Sequence, residues 1–198
     1  AQKKVENMHY EGRKQIVEYD DVANEQRKIV YKFRNQLLSK EFDIDSKIDA
    51  VRKEYIEYTL QKADIFDGTS KEDFNVEKLQ EILKEERNYG LEQSSVNNLE
   101  YDKLFAEITK QVKNIYDEKM SVLDANIRIE IEKELYLKEL DGAWREHLYS
   151  MDNMKTGIRL RAYNQKDPLV EYKKESFNLF RMLISNIKFN TIKTLQII

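Results

Sequence analysis

The chain has 198 residues, 36% charged and 40% hydrophobic, with a net charge of −3, one proline, five glycines and no cysteine. So few Pro and Gly exclude a loop-rich or all-β fold, the missing cysteines exclude disulfides and thiolate metal sites and suit a reducing compartment, and the charge balance argues against bulk nucleic-acid binding. With no long apolar run and no signal-peptide pattern, composition leaves an all-α protein of elongated, much-exposed helices.

Helical periodicity starts at once in Ala1-Gln2-Lys3-Lys4-Val5, without an initiator Met or an N-cap, as expected of a piece of a longer protein. Val5, Met8, Gly12, Ile16, Tyr19, Val22, Ala23, Ile29, Val30, Phe33 and Leu37 recur at spacings of three and four. They predict one helix from about residue 3 to 40, a rod of roughly 55 Å at 1.5 Å per residue. Gly12 within it fits close approach of another helix to bare backbone.

Beyond Phe42, Asp45 or Ser46 is placed to cap a second helix that ends near Ala63, with Ile48, Val51, Tyr55 and Tyr58 on one face. Asp67-Gly68 signals a turn, and Ser70-x-x-Asp73 resembles a capping box. A third helix carries Phe74, Leu79, Ile82 and Leu83 and reaches Gly90, a C-cap glycine. After a polar linker, a fourth helix carries Tyr101, Leu104, Phe105, Ile108, Val112, Ile115 and Tyr116. Residues 42 to 123 together read as a small helical subdomain.

Asp124 is a cap for the next helix, where the pattern tightens. Leu137, Trp144, Met151 and Ile158 lie seven apart, with Leu140, His147 and Met154 three residues after the first three. That is an a/d seam. Val170, Phe177, Ile184 and Thr191 also repeat by seven, with Phe180 and Ile187 at the matching offset. A short polar connection between the two stripes predicts an antiparallel hairpin. Pro168 fits the first position of its second helix, where its missing N–H costs nothing, with Asp167 as the cap.

Catalytic patterns are scarce. No phosphate-binding glycine loop occurs, so this chain is not expected to bind nucleotide. Glu6-x-x-His9 has the spacing of a di-iron ligand pair, but that architecture needs a second pair and two more carboxylates. Both read as helix surface, and no metal site is assigned. His147, on the seam, reads as a buried histidine with local partners, with a pH-sensing role as the alternative. Glu18, Asp20 and Asp21, followed by Arg27 and Lys28, read as an ion-pair surface facing solvent or a partner. Trp144, Met151, Met154, Phe177 and Phe180 read as hairpin core, with a polypeptide-binding groove as the alternative. The connection itself holds Arg159, Arg161, Tyr163 and Lys166. It fits a solvated loop and a contact tip equally, since a tyrosine gives amphipathic contact area and arginines reach acidic groups.

Two stretches carry a more specific signal. "RKQIVEYDDVANEQRKIVY", ending at Tyr31, and "LDGAWREHLYSMDNMKTGIRLRAYNQKDPLVEYKKESFNLF", Leu140 to Phe180, resemble the C-terminal helical region of the SecA family, bacterial ATP-driven motors for preprotein export. The resemblance is specific over the first helix and the last sixty or so residues. Between them it rests on position and helical character. It implies a helical scaffold domain over residues 1–42, a helical wing over 43–123, and the rest of the scaffold, with a two-helix finger, over 124–198.

In the family the finger tip enters the mouth of the SecY channel and touches the preprotein. The resemblance therefore implies that Tyr163 meets the preprotein, while Arg159, Arg161 and Lys166 serve the channel mouth or an acidic phospholipid surface. The family pattern usually has glycine before that tyrosine; here it is Ala162. The long scaffold helix implies a contact with the nucleotide-binding motor domains through Glu18, Asp20, Asp21, Asn24 and Arg27. The ATP and Mg²⁺ sites and the zinc-binding tail of the family have no counterpart in this sequence, which implies a non-catalytic portion without a cofactor of its own. The implied location is cytoplasmic, peripheral on the inner face of the bacterial plasma membrane. A free-standing helical scaffold or adaptor that binds partner helices is the alternative reading.

Overall fold

The computed structural model describes residues 2–87, 96, 98–161 and 167–198, with the backbone alone for 2, 8, 9, 11, 12, 15, 86, 87 and 159–161. The helices are α1 (Gln2–Leu38), α2 (Ile44–Lys62), α3 (Val76–Arg87), α4 (Tyr101–Met120), α5 (Ala125–Arg161) and α6 (Pro168–Ile197), with a 3-10 turn at Lys71–Asp73. Among the described residues there is no strand. The all-α class expected from composition is the class of the fold.

Local chemistry sets the helix starts. At α2 the cap is Asp43, whose carboxylate accepts from the Ser46 N–H at 3.0 Å. The run Asp43-Ile44-Asp45-Ser46 offers three capping side chains, and the first wins because its Oδ2 also takes the Ser46 hydroxyl at 2.6 Å. Ser70 makes no side-chain cap. Asn75 does so for α3, accepting from the Lys78 N–H at 2.9 Å. Gly68 sits at φ 83, as its turn requires, and the Thr69 N–H donates to the Phe66 carbonyl. Asp124 accepts from the Asn126 N–H at 2.8 Å and Asp167 from the Leu169 N–H at 2.9 Å, so both predicted caps are present. Pro168 opens α6 as predicted. Gly90 lies outside the described residues, and the packing around Gly12 falls there too.

The chain divides into two compact units. One comprises Ala1–Lys40 and Leu137–Ile187, the other Glu41–Tyr136 and Lys188–Ile198.

In the first unit, Tyr19, Met151, Ile158 and Tyr172 form a buried cluster, with Val22, Ala23, Met154 and Leu169 packed against it. The Tyr19 and Tyr172 rings meet edge-on, centroids 4.8 Å apart. The predicted seam of α5 is in place, with Leu140, Trp144, His147, Met151 and Ile158 all buried. The predicted stripe of α6 is in place only in part. Ile187 and Thr191 are buried, but Val170 is 60% and Phe177 61% exposed, and Tyr172, Ser176 and Leu183 are buried outside the predicted positions. The reason is that α6 also touches α1, through Tyr172 on Tyr19 and Ser176 on Gln26. Its buried face serves two neighbours and rotates away from a simple two-helix seam.

In the second unit, α2, α3 and α4 surround a core that includes Ile56, Leu60, Ile65, Leu79, Leu83, Leu104, Ile108 and Val112. Each such side chain contributes roughly 1.5–3 kcal/mol on burial. Beside it lies a polar set whose centre, Arg52, Tyr116 and Glu132, is buried. The Tyr116 hydroxyl donates to Glu132 at 2.5 Å, and Arg128 reaches Asp45 at 2.7 Å. The Arg52 guanidinium lies 4.7 Å from the Tyr116 ring centroid and is paired with Asp49. The end of α6 joins this unit through Lys188 to Glu54, at 2.6 Å, and through Phe189 against the Tyr55 and Tyr58 rings.

Candidate functional site

The candidate site is the arrangement of α1 with the two arms of the α5–α6 hairpin in the first unit. Its central feature is a side chain the sequence reading did not single out. Gln26 of α1 is buried, and its Nε2 donates to the Ser176 carbonyl of α6 at 3.2 Å. Its Oε1 lies 2.7 Å from His147 Nε2 of α5. An amide so oriented presents only an acceptor to the imidazole, so Nε2 of His147 carries the proton. One side chain of α1 therefore ties both arms of the hairpin.

His147 is enclosed. Trp144 stacks on it with centroids 5.5 Å apart, and Phe180 lies at 5.9 Å. Burial pushes its pKa below the ordinary 6.5, because a charged imidazolium is disfavoured away from water. It is the buried, locally satisfied histidine of the simpler reading. Ser176 donates its hydroxyl to the Tyr172 carbonyl one turn back, while its own carbonyl takes Gln26 as a second donor beside the helix bond.

Two ion pairs flank this lock. Arg34 of α1 makes a two-pronged pair with Asp141 of α5, Nε to Oδ1 at 2.9 Å and Nη2 to Oδ2 at 3.2 Å. The pair raises the Arg34 pKa, first through the hydrogen bond and then through the charge of Asp141. A cleft of about 550 Å³ opens beside it, lined by Tyr31, Trp144 and Arg145 among others. Further along, Lys155 of α5 reaches Asp20 of α1 at 3.0 Å and lies 5.5 Å from the Tyr19 ring centroid.

The residues expected to meet motor domains thus divide. Asp20 is committed to Lys155, and Glu18 is half-buried. Asp21, Asn24 and Arg27 are exposed, with Arg27 donating to Asn24 at 3.0 Å. Tyr10 and Val17, exposed at 65% and 57%, precede Asp21 and Asn24 at spacings of seven, four and three. That spacing places all four on the outward face of α1. The sequence reading gave neither Tyr10 nor Val17 a role; the signal lay in two apolar residues off the core periodicity.

At the far end of the hairpin, Arg159 and Arg161 belong to the last turn of α5, and Tyr163 and Lys166 lie outside the described residues. Glu6 is exposed on α1, and the side chain of His9 lies outside the description. Among the described residues no three carboxylate or imidazole groups converge as metal ligands, and no helix is long and apolar enough to cross a membrane.

The sequence profile of the SecA Wing and Scaffold domain matches residues 1–198. The protein translocase subunit SecA of Sulfurimonas denitrificans is 68% identical over 198 residues, which is 100% of this chain and 23% of that protein. Its counterparts in Sulfurovum sp. and Nitratiruptor sp. are 54% and 56% identical over 198 residues, all of this chain and 22% and 23% of theirs. The chain spans about a quarter of the length of the curated relatives it matches.

Proposed function

The chain belongs to the SecA Wing and Scaffold family, and from that premise we propose that it relays movement of an ATP-driven motor to a two-helix finger working on preprotein. The coarse assignment is to the wing and scaffold region of a protein translocase. In the finer reading the α5–α6 hairpin is the finger. Tyr163 at its tip meets the preprotein, and Arg159, Arg161 and Lys166 meet the mouth of a SecY-type channel or the acidic phospholipid around it. The outward face of α1 meets the nucleotide-binding domains, which hold ATP and Mg²⁺; we assign no cofactor to this portion. The working location is the cytoplasmic face of the bacterial plasma membrane.

The observation that carries the relay is the double attachment of Gln26, to His147 on one arm and Ser176 on the other. A push on α1 then moves both arms together rather than sliding one past the other. The exposed row Tyr10, Val17, Asp21 and Asn24 supports a docking face on α1. In the full-length translocase, Tyr163→Ala is expected to cut translocation far more than basal ATP hydrolysis. Equal loss of both refutes a role specific to the tip.

A further inference from the structure

We propose that Val170, Phe177 and Ile184 of α6 form a docking ridge for a partner helix that carries acidic side chains beside its own apolar seam. This surface is separate from the hairpin tip and from the outward face of α1, and it does not rest on their assignments.

The three residues lie seven apart, so they fall in one row along the helix. The fold leaves this row outside the hairpin core, with Val170 and Phe177 more than half exposed and Ile184 half-buried. Cations stand on both edges. Lys174 and Arg181 follow Val170 and Phe177 by four residues on one side, and Lys173 alone stands on the other. None of the three is paired with a carboxylate among the described residues. Arg181 instead lies 6.0 Å from the Phe177 ring centroid, which joins the basic edge to the apolar row.

A single exposed apolar row can pack as a ridge into the groove between a partner helix's apolar side chains, and the flanking charges choose the partner's charge. The cations here select carboxylates. A helix lying in a bilayer interface instead needs a broad apolar face, and this row is a single side chain wide.

The test uses the full 198-residue chain and a fluorescein-labelled amphipathic peptide of about three heptads, with Leu at the seam and Glu at the flanks, beside a Lys-flanked counterpart. Anisotropy is expected to show binding of the Glu peptide in preference to the Lys peptide. Phe177→Ala, a surface change whose fold is checked by circular dichroism, should weaken binding about tenfold or more. The double variant Lys174→Glu/Arg181→Glu should transfer the preference to the Lys peptide. Equal binding of both peptides, or insensitivity to these variants, overturns the proposal. So does co-sedimentation with phosphatidylglycerol vesicles, abolished by Phe177→Ala, in the absence of peptide binding; that outcome assigns the row to a membrane.

Discussion

His147 Nε2 of α5 lies 2.7 Å from Gln26 Oε1 of α1, inside a pocket closed by Trp144 and Phe180. The contact joins residues 121 positions apart in the chain. Gln26 spends its other polar atom on the Ser176 carbonyl, so its loss orphans the His147 donor on one arm and removes the second hydrogen bond of a helical carbonyl on the other. Gln26→Met, close in shape, is expected to destabilise the chain by about 1–3 kcal/mol, the cost of leaving buried polar groups unpaired. Urea unfolding monitored by Trp144 fluorescence measures it, and a change within experimental error contradicts the lock.

The same histidine gives a pH dependence of definite sign. Its pKa in the folded chain is below 6.5 because burial disfavours the charged ring. The unfolded chain therefore binds more protons in the window between the folded pKa and 6.5, and stability rises with pH through that window. Acidifying from pH 7.5 to below 6.5 should lower the urea midpoint. His147→Gln should remove that part of the slope, which is read as the difference between the two profiles.

The hairpin shows what sequence periodicity resolves and where it stops. On α5 the heptad positions Trp144, Met151 and Ile158 are buried, as the apolar count reads them. On α6 the same count found Ile187 and Thr191, which are buried, but also selected Val170 and Phe177, which the fold exposes. The buried face there runs through Tyr172 and Ser176, and a serine carries no apolar signal. Gln26 escaped for the same reason, since a polar residue in a core acquires meaning only when its partners are known. Helix starts at Asp124 and Asp167 were readable because each offers one cap. The start of α2 was not, because Asp43, Asp45 and Ser46 compete within one turn.

The α6 face yields a direct stability contrast. Leu183 is buried and Phe177 largely exposed. Leu183→Ala should cost about 2–5 kcal/mol, whereas Phe177→Ala should stay within about 0.5 kcal/mol. Comparable losses from both would restore the two-helix seam read from sequence.

The buried set in the second unit should respond more sharply than any surface ion pair. Glu132 and Arg52 are each 1% exposed. Glu132→Ala removes the acceptor of the Tyr116 hydroxyl and a neighbouring negative charge from Arg52. Arg52 keeps Asp49 as its partner, so the expected loss is about 2–5 kcal/mol, from the unpaired Tyr116 hydroxyl and the cavity left by the side chain. Tyr116→Phe, which removes one hydroxyl, should cost only about 1–3 kcal/mol. Thermal unfolding of the two variants side by side ranks them, and the reverse order contradicts this account.

The relay to the finger tip is tested most directly by a photo-reactive residue at position 163 of the full-length translocase, illuminated while a preprotein is in transit. Adducts with the preprotein that appear only while ATP is being hydrolysed are the predicted result. An absence of adducts, or the same adducts without ATP hydrolysis, contradicts it.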